Sequence, residues 1–244
     1  MKNTGIPEGK IPLVAAFDIE ATLTHVEGWN FLAEKATPEI QKIIKTLTDR
    51  AMGGKMPFKE SLFERFDIFK PGPVEIKILQ DEYLRHPHHD VKRLIAFLRE
   101  KFARVVLISG GLQNALSPFA EEIGIAHEDL FAIPLTPQWK LPDGHPLYAE
   151  DGKKLVLNRI IAEERARRDP KNRIDFHSIM TGDGVTDAKC RGSNVTFIAI
   201  GNREEVIKAA DIHIETLDEI YPLILNPYSH GQIQARGREA NDAR

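Results

Sequence analysis

Two carboxylates follow directly on an apolar run in Val14-Ala15-Ala16-Phe17-Asp18-Ile19-Glu20-Ala21-Thr22, and acids so placed can attack, ligate a cation or carry a proton. Residues 13–17 show no polar alternation, which predicts a strand buried on both faces within a parallel sheet. Asp18 then stands at its carboxyl end, where open α/β sheets bind ligands. The alternative reading of the same aspartate is an Asx turn that starts a loop. The arrangement recurs downstream: residues 105–108 form a short apolar run ending in Ser109-Gly110-Gly111, and residues 174–181 lead into Gly182-Asp183-Gly184-Val185-Thr186-Asp187. Lys153 opens a helical pattern between these two segments. Brought to one cleft, Asp18, Glu20, Asp183 and Asp187 would raise one another's pKa and oppose ionisation without a cation among them. The donor set therefore predicts a Mg²⁺ site, since magnesium takes carboxylate, carbonyl and water oxygens and partners phosphate. An ammonium, a hydroxyl and the N–H groups of a Ser-Gly-Gly turn suit phosphoryl oxygens.

The elements that must position these groups can be read from periodicity. After Thr24 the pattern turns helical, with Trp29, Phe31, Leu32 and Ala36, then Ile40, Ile43, Ile44, Leu47 and Ala51 following Pro38. Gly53-Gly54 and Lys70-Pro71-Gly72-Pro73 punctuate two further helical pieces, and no strand is predicted between residues 25 and 90. Strands resume at 105–108, 174–181, 195–200 and 212–214, with helices between them. Residues 131–149, with four prolines and Asp143-Gly144, predict a hairpin-like excursion. The charged run at residues 163–168 reads as a solvated helix face. Cys190, Trp29 and Trp139 read as packing residues. His86-Pro87-His88-His89-Asp90 reads as a polar connection, with a transition-metal cluster as the alternative.

The fold class expected is α/β: a Rossmann-like parallel sheet core over residues 1–24 and 90–225, an inserted small helical-bundle cap over 25–89, and a disordered tail over 226–244. A chain of 244 residues with 42% hydrophobic residues can bury a core of that size. A formal net charge of −3 without a clustered basic surface argues against a nucleic-acid partner. No apolar stretch approaches the ~20 residues needed to span a bilayer, and the opening MKNTGIPEGK lacks the apolar segment of a signal peptide, so no membrane partner is expected. One cysteine excludes an internal disulfide framework and suits a cytoplasmic location. The chain is expected to act as a monomer or homodimer.

The ordered set Asp18-Ile19-Glu20-Ala21-Thr22, Ser109-Gly110-Gly111, Lys153 and Gly182-Asp183-Gly184-Val185-Thr186-Asp187 resembles the four motifs of the haloacid dehalogenase superfamily of Mg²⁺-dependent phosphotransferases. In the inserted helices, Ala51-Met52-Gly53-Gly54, Pro57-Phe58-Lys59 and Leu62-Phe63-Glu64-Arg65 resemble the cap of that family's phosphoserine phosphatases, and the resemblance covers roughly residues 12 to 225. It implies that Asp18 is the nucleophile and forms an aspartyl-phosphate. It further implies that Asp18, the backbone carbonyl of Glu20, Asp183 and Asp187 hold Mg²⁺, Asp187 directly or through water. Glu20 would be the acid and base; Ser109, the N–H of Gly110 and Lys153 would surround the phosphoryl group. Glu27 would take the ammonium and Arg65 the carboxylate of a small phosphorylated amino acid, beneath a lid of Met52 and Phe58. The pattern departs from the family at Glu20, where most members have aspartate. That glutamate is shared with relatives that also transfer phosphate to homoserine, so such transfer, or hydrolysis of another small phosphometabolite, stands as the alternative. A catalytically inactive phosphometabolite-binding regulator is the reading from another class. Lys154 competes with Lys153, whose spacing to Val156 and Leu157 favours it.

Overall fold

The structure, a computed structural model, describes residues 7, 9–34 and 36–225; the tail expected at 226–244 lies outside them. In chain order the elements are β1 (Ile11–Phe17), α1 (Gly28–Ala33), α2 (Pro38–Met52), α3 (Phe58–Phe69), α4 (Pro73–Arg85), α5 (Val91–Lys101), β2 (Arg104–Leu112), α6 (Gln113–Glu122), β3 (Leu130–Ile133), α7 (Gly152–Arg168), β4 (Phe176–Gly182), α8 (Val185–Ala188), β5 (Val195–Ile200), α9 (Glu204–Ala209), β6 (Ile212–Ile214) and α10 (Ile220–Leu225). The strands form one parallel sheet in the order β3-β2-β1-β4-β5-β6, an α/β Rossmann-like fold with helices flanking the sheet. β1 is central, and Leu13, Val14, Ala15, Ala16 and Phe17 expose no surface. A strand covered on both faces gains stability from every side chain, about 1.5–3 kcal/mol for a fully buried Leu or Phe, so the run without alternation becomes the middle of the sheet.

From β1 the chain steps outward through β2 to β3, then α7 carries it back to β4 on the other side of β1. The carboxyl ends of β1 and β4 therefore flank a topological switch point, the crevice where such sheets bind ligands. The Asp18 N–H donates to the Thr181 carbonyl at 2.9 Å, joining the two strand ends. Helices α1 to α4 lie between β1 and α5. Their entry and exit segments are tied together: Thr24 bridges Pro87 in antiparallel fashion, His25 N–H donates to the His86 carbonyl at 3.0 Å, and His88 N–H donates to the Leu23 carbonyl at 2.9 Å. Gln80 of α4 also donates to the Asn114 carbonyl of α6 at 2.9 Å.

Three expectations change. The excursion after residue 130 is not a hairpin: Leu130–Ile133 pairs in parallel with β2 as an edge strand, because its apolar residues end before the first proline, Pro134. The prolines then hold the following segment in loops, with a turn closed by Thr136 N–H to the Lys140 carbonyl at 2.8 Å. Ser109-Gly110-Gly111 lies inside the extent of β2, where the pairing with β3 shifts register between Ile108 and Leu112. The charged run is not wholly solvated: Glu164 is buried and accepts from Arg167 and Arg168. It occupies the same stripe of α7 as Leu157 and Ile160, at i+7 and i+4. Among the described residues no helix is long and apolar enough to cross a membrane.

Candidate active site

The loop after β1 is wound around one acceptor, the Ile19 carbonyl, which takes the N–H groups of Thr22, Leu23 and Thr24 at 3.2, 2.8 and 3.2 Å. Ala21 turns the chain at φ 51°, and the turn sends Glu20 toward the helices while Asp18 stays at the strand end. Asp18 is buried; its Oδ1 accepts the Ile19 N–H at 2.7 Å and its Oδ2 lies 2.6 Å from Lys153 Nζ. Lys153 Nζ also lies 2.7 Å from Asp187 Oδ1. Its backbone is fixed by Gly152, where a Cβ would stand 2.5 Å from the Pro146 carbonyl oxygen, so α7 can begin there only on glycine. Burial pushes the Lys153 ammonium toward neutrality, but the Asp18 and Asp187 carboxylates override it and hold its pKa above the usual lysine range.

The third group of acids comes from the end of β4. Asp187 accepts the Gly184 N–H at 3.0 Å, and Asp183 Oδ2 lies 3.4 Å from Arg203 Nε. One ligand oxygen each from Asp18, Asp183 and Asp187 falls within 4.8 Å of the others. Asp183 Oδ1 is buried with no hydrogen-bond partner among the described residues. Burial and the Asp18 charge push Asp183 up to about 6; burial pushes Asp187 up to about 7, against the pull of Lys153. An orphaned buried carboxylate oxygen in an acid cluster that resists ionisation is what a divalent cation relieves, so the residues present fit a metal ion.

The remaining predicted residues close over this cluster. Asp18, Glu20, Glu27, Met52, Phe58, Arg65, Ser109, Gly110 and Lys153 line a single cleft together with Trp29 and Thr186, and the space left within it is about 30 Å³. A Cβ on Gly110 would stand 2.6 Å from the Phe58 ring, so this glycine admits that ring directly against β2. Ser109 is buried, and its Oγ accepts the Gly111 N–H at 3.2 Å. Arg65 is buried on α3; it donates to the Ser61 carbonyl at 3.1 Å and Thr48 Oγ1 at 3.2 Å, and its guanidinium lies 5.5 Å from the Trp29 ring centroid. Burial lowers its pKa to about 10, with Glu27 and Glu20 opposing. Glu27 Oε1 is buried without a partner among the described residues, and burial, then the Glu20 and Asp183 charges, push its carboxyl well up. A planar fork and a carboxylate facing one cleft can pair with a carboxylate and a cation on one ligand.

Four further residues reach the cleft or its acids: Trp29 beside Arg65, Thr186 in the lining, Tyr83 with its hydroxyl 2.6 Å from Glu20 Oε1, and Arg203 against Asp183. On sequence Trp29 reads only as a packing residue. Tyr83 and Arg203 carry no local signal, one sitting in an apolar helix stripe and the other after a strand. Lys153, not Lys154, enters the site. Among the described residues the acid trio is the one metal-competent cluster of three or more groups, and the histidines at 86–89 are not part of it. His88 instead stacks on His25 with centroids 3.8 Å apart, and burial with that neighbour lowers its pKa to about 4. Cys190 is buried and its thiol is pushed up to about 12 by burial and Asp187, which suits packing rather than attack.

The site's charge predicts how metal and pH interact. Raised folded-state pKa values on Asp183 and Asp187 mean that ionising them costs stability as pH rises through about 6 to 7, and that the cost is absent well below the unfolded value near 3.8. A bound cation removes it. Mg²⁺ is therefore expected to raise the Tm more at pH 8 than at pH 5.5, with affinity at least about 10-fold weaker at the lower pH. Equal shifts at both values would take these carboxylates out of the ligand set.

No protein-family model matches the sequence. Phosphoserine phosphatase of Rattus norvegicus is 27% identical over 213 residues, covering 84% of this chain and 89% of that protein. Among solved structures, a phosphoserine phosphohydrolase-like protein from Francisella tularensis superposes with a TM-score of 0.69 at 26% identity, over 87% of this chain and 99% of its own. A phospho-aspartyl intermediate analogue of a phosphoserine phosphatase superposes with a TM-score of 0.66 at 26% identity, over 88% of this chain and 100% of its own.

Proposed function

We propose that this chain, a phosphatase of the haloacid dehalogenase superfamily, hydrolyses O-phosphoserine to serine and phosphate through a phosphorylated Asp18, with Mg²⁺ as its cofactor. The observation that carries the reading is the convergence of Asp18 and Lys153 with the opposite charges of Glu27 and Arg65 on one cleft. The first pair serves a phosphoryl group and the second an amino acid's ammonium and carboxylate. Residues 25–89 act as the cap and residues 1–24 with 90–225 as the core. The cleft's 30 Å³ holds about one water, so substrate enters when the helices bearing Met52 and Phe58 swing outward. The single buried cysteine, Cys190, suits a reducing cytoplasm.

An Asp18 carboxylate oxygen bonds to phosphorus as the bond from phosphorus to the serine oxygen breaks, and Glu20 gives that oxygen its proton. Water then attacks phosphorus, Glu20 takes the water's proton, and the Asp18 oxygen leaves with its electron pair. Lys153, the Ser109 hydroxyl and the Gly110 N–H stabilise the charge on the transferring group, which is where most of phosphoryl-transfer catalysis resides. Mg²⁺ held by Asp18, Asp183, Asp187 and the Glu20 carbonyl would neutralise charge on the carboxylates and the phosphoryl oxygens. The reading is tested by acid-quenching the enzyme during turnover of labelled phosphoserine, with and without homoserine. Label on the peptide containing Asp18 and release of free phosphate are expected under both conditions. Phosphohomoserine as the main product would replace hydrolysis with transfer.

A further inference from the structure

Among the described residues, Glu20 is held from one side of its carboxylate only. Oε1 accepts two hydrogen bonds, from the Tyr83 hydroxyl at 2.6 Å and the Gly28 N–H at 2.7 Å. Both donors belong to the inserted helices, Tyr83 to α4 and Gly28 to the first position of α1. The space around the contact has been cleared of side chains. A Cβ on Gly28 would stand 2.2 Å from the Tyr83 hydroxyl and 2.7 Å from Glu20 Oε1, and a Cβ on Gly111 of β2 would stand 2.7 Å from Oε2. Tyr83 is itself buried, with Ile76 and Leu79 on the same helix, so its hydroxyl is kept in place by packing along the whole ring.

We infer that Tyr83 is a positioning residue: together with the Gly28 N–H it fixes Glu20 Oε1 and leaves Oε2 to exchange the proton with the leaving oxygen and then with water. The inference rests on the phosphatase reading above and adds a division of labour between the two oxygens. The glutamate is what makes it possible. Its extra methylene lets a carboxylate rooted three residues past the sheet reach donors on α1 and α4, so the acid is aligned by the same helices that cover the substrate. A misplacement of about 1 Å in such a group costs on the order of 100-fold.

The test compares two phosphorylated compounds that differ in their need for an acid. Phosphoserine expels an alkoxide that must be protonated; acetyl phosphate expels a carboxylate that need not be. In Tyr83→Phe the ring and its packing remain. Single-turnover phosphorylation of Asp18 by phosphoserine is expected to slow about 10- to 100-fold with substrate affinity within about 3-fold, while phosphorylation by acetyl phosphate slows far less; the later attack of water needs Glu20 whichever compound supplied the phosphoryl group. Glu20→Asp is expected to lose phosphoserine turnover similarly, because its carboxylate no longer reaches the hydroxyl. Adding Tyr83→Phe to it should then cost little more. Equal slowing of Asp18 phosphorylation by both compounds, no slowing with phosphoserine, or independent losses in the double variant would each overturn the positioning role. Wild-type enzyme that turns over acetyl phosphate but not phosphoserine would instead overturn the substrate reading, so the two failures are distinguishable.

Discussion

Asp18→Asn is expected to abolish phosphoserine turnover, by at least about 10⁴-fold, while the metal-free protein keeps its Tm. Asparagine cannot supply the oxygen nucleophile, and losing a nucleophile removes nearly all of the chemistry that its partners support. The fold should not suffer. Asp18 is buried among carboxylates, and Asp183 and Asp187 are both pushed upward in pKa in part by its charge; removing that charge relieves repulsion. Lys153 keeps Asp187 as a partner at 2.7 Å. Steady-state phosphate release and thermal unfolding of the same preparation separate lost chemistry from lost structure. A variant that unfolds at a much lower temperature, or one that retains measurable turnover, contradicts the assignment of Asp18.

The second large effect is expected at Arg65. Arg65→Ala should lower kcat/KM for phosphoserine by roughly 30- to several-thousand-fold, the cost of truncating one member of a desolvated charge pair. Turnover of phosphoethanolamine, which has the ammonium but no carboxylate, should change little. Arg65 also offsets the buried Glu27, whose carboxyl is already pushed well up. The alanine variant is therefore expected to lose stability as well, and Arg65→Lys supplies the second comparison. Lysine restores the charge but not the planar fork, so its kcat/KM for phosphoserine should fall between those of alanine and wild type. Equal losses on the two substrates in both variants would mean that Arg65 supports the cleft and not the carboxylate.

The chemistry at the strand ends was legible because two signals coincide there. Asp18 closes an apolar run and Asp183 follows a strand that is buried throughout, and a segment covered on both faces suits a central strand whose carboxyl end faces the crevice. Lys153 was legible from its place at a helix start. Glu27, Met52, Phe58 and Arg65 were legible only through resemblance, since each on its own reads as part of an amphipathic helix. Tyr83 could not be read at all: its apolar neighbours Ile76 and Leu79 explain its position fully, and the acceptor of its hydroxyl lies 63 residues earlier. Glu164 failed for the opposite reason. Its neighbours in sequence are charged, but the helix turns it inward onto the stripe of Leu157 and Ile160. β3 was missed because four prolines after it outweighed a four-residue apolar strand at a sheet edge.

The proposed function pairs a phosphoryl-transfer site with a receptor for a zwitterion, and one measurement addresses that pairing directly. It is kcat/KM for L-phosphoserine in Mg²⁺, determined beside phosphothreonine, phosphoethanolamine and a set of sugar phosphates. The expected result is a preference for phosphoserine of at least about 10-fold over every other compound, since each rival lacks a charge or adds bulk to a cleft closed by Met52 and Phe58. A sugar phosphate turned over better than phosphoserine would contradict the reading of Glu27 and Arg65, and with it the proposed function.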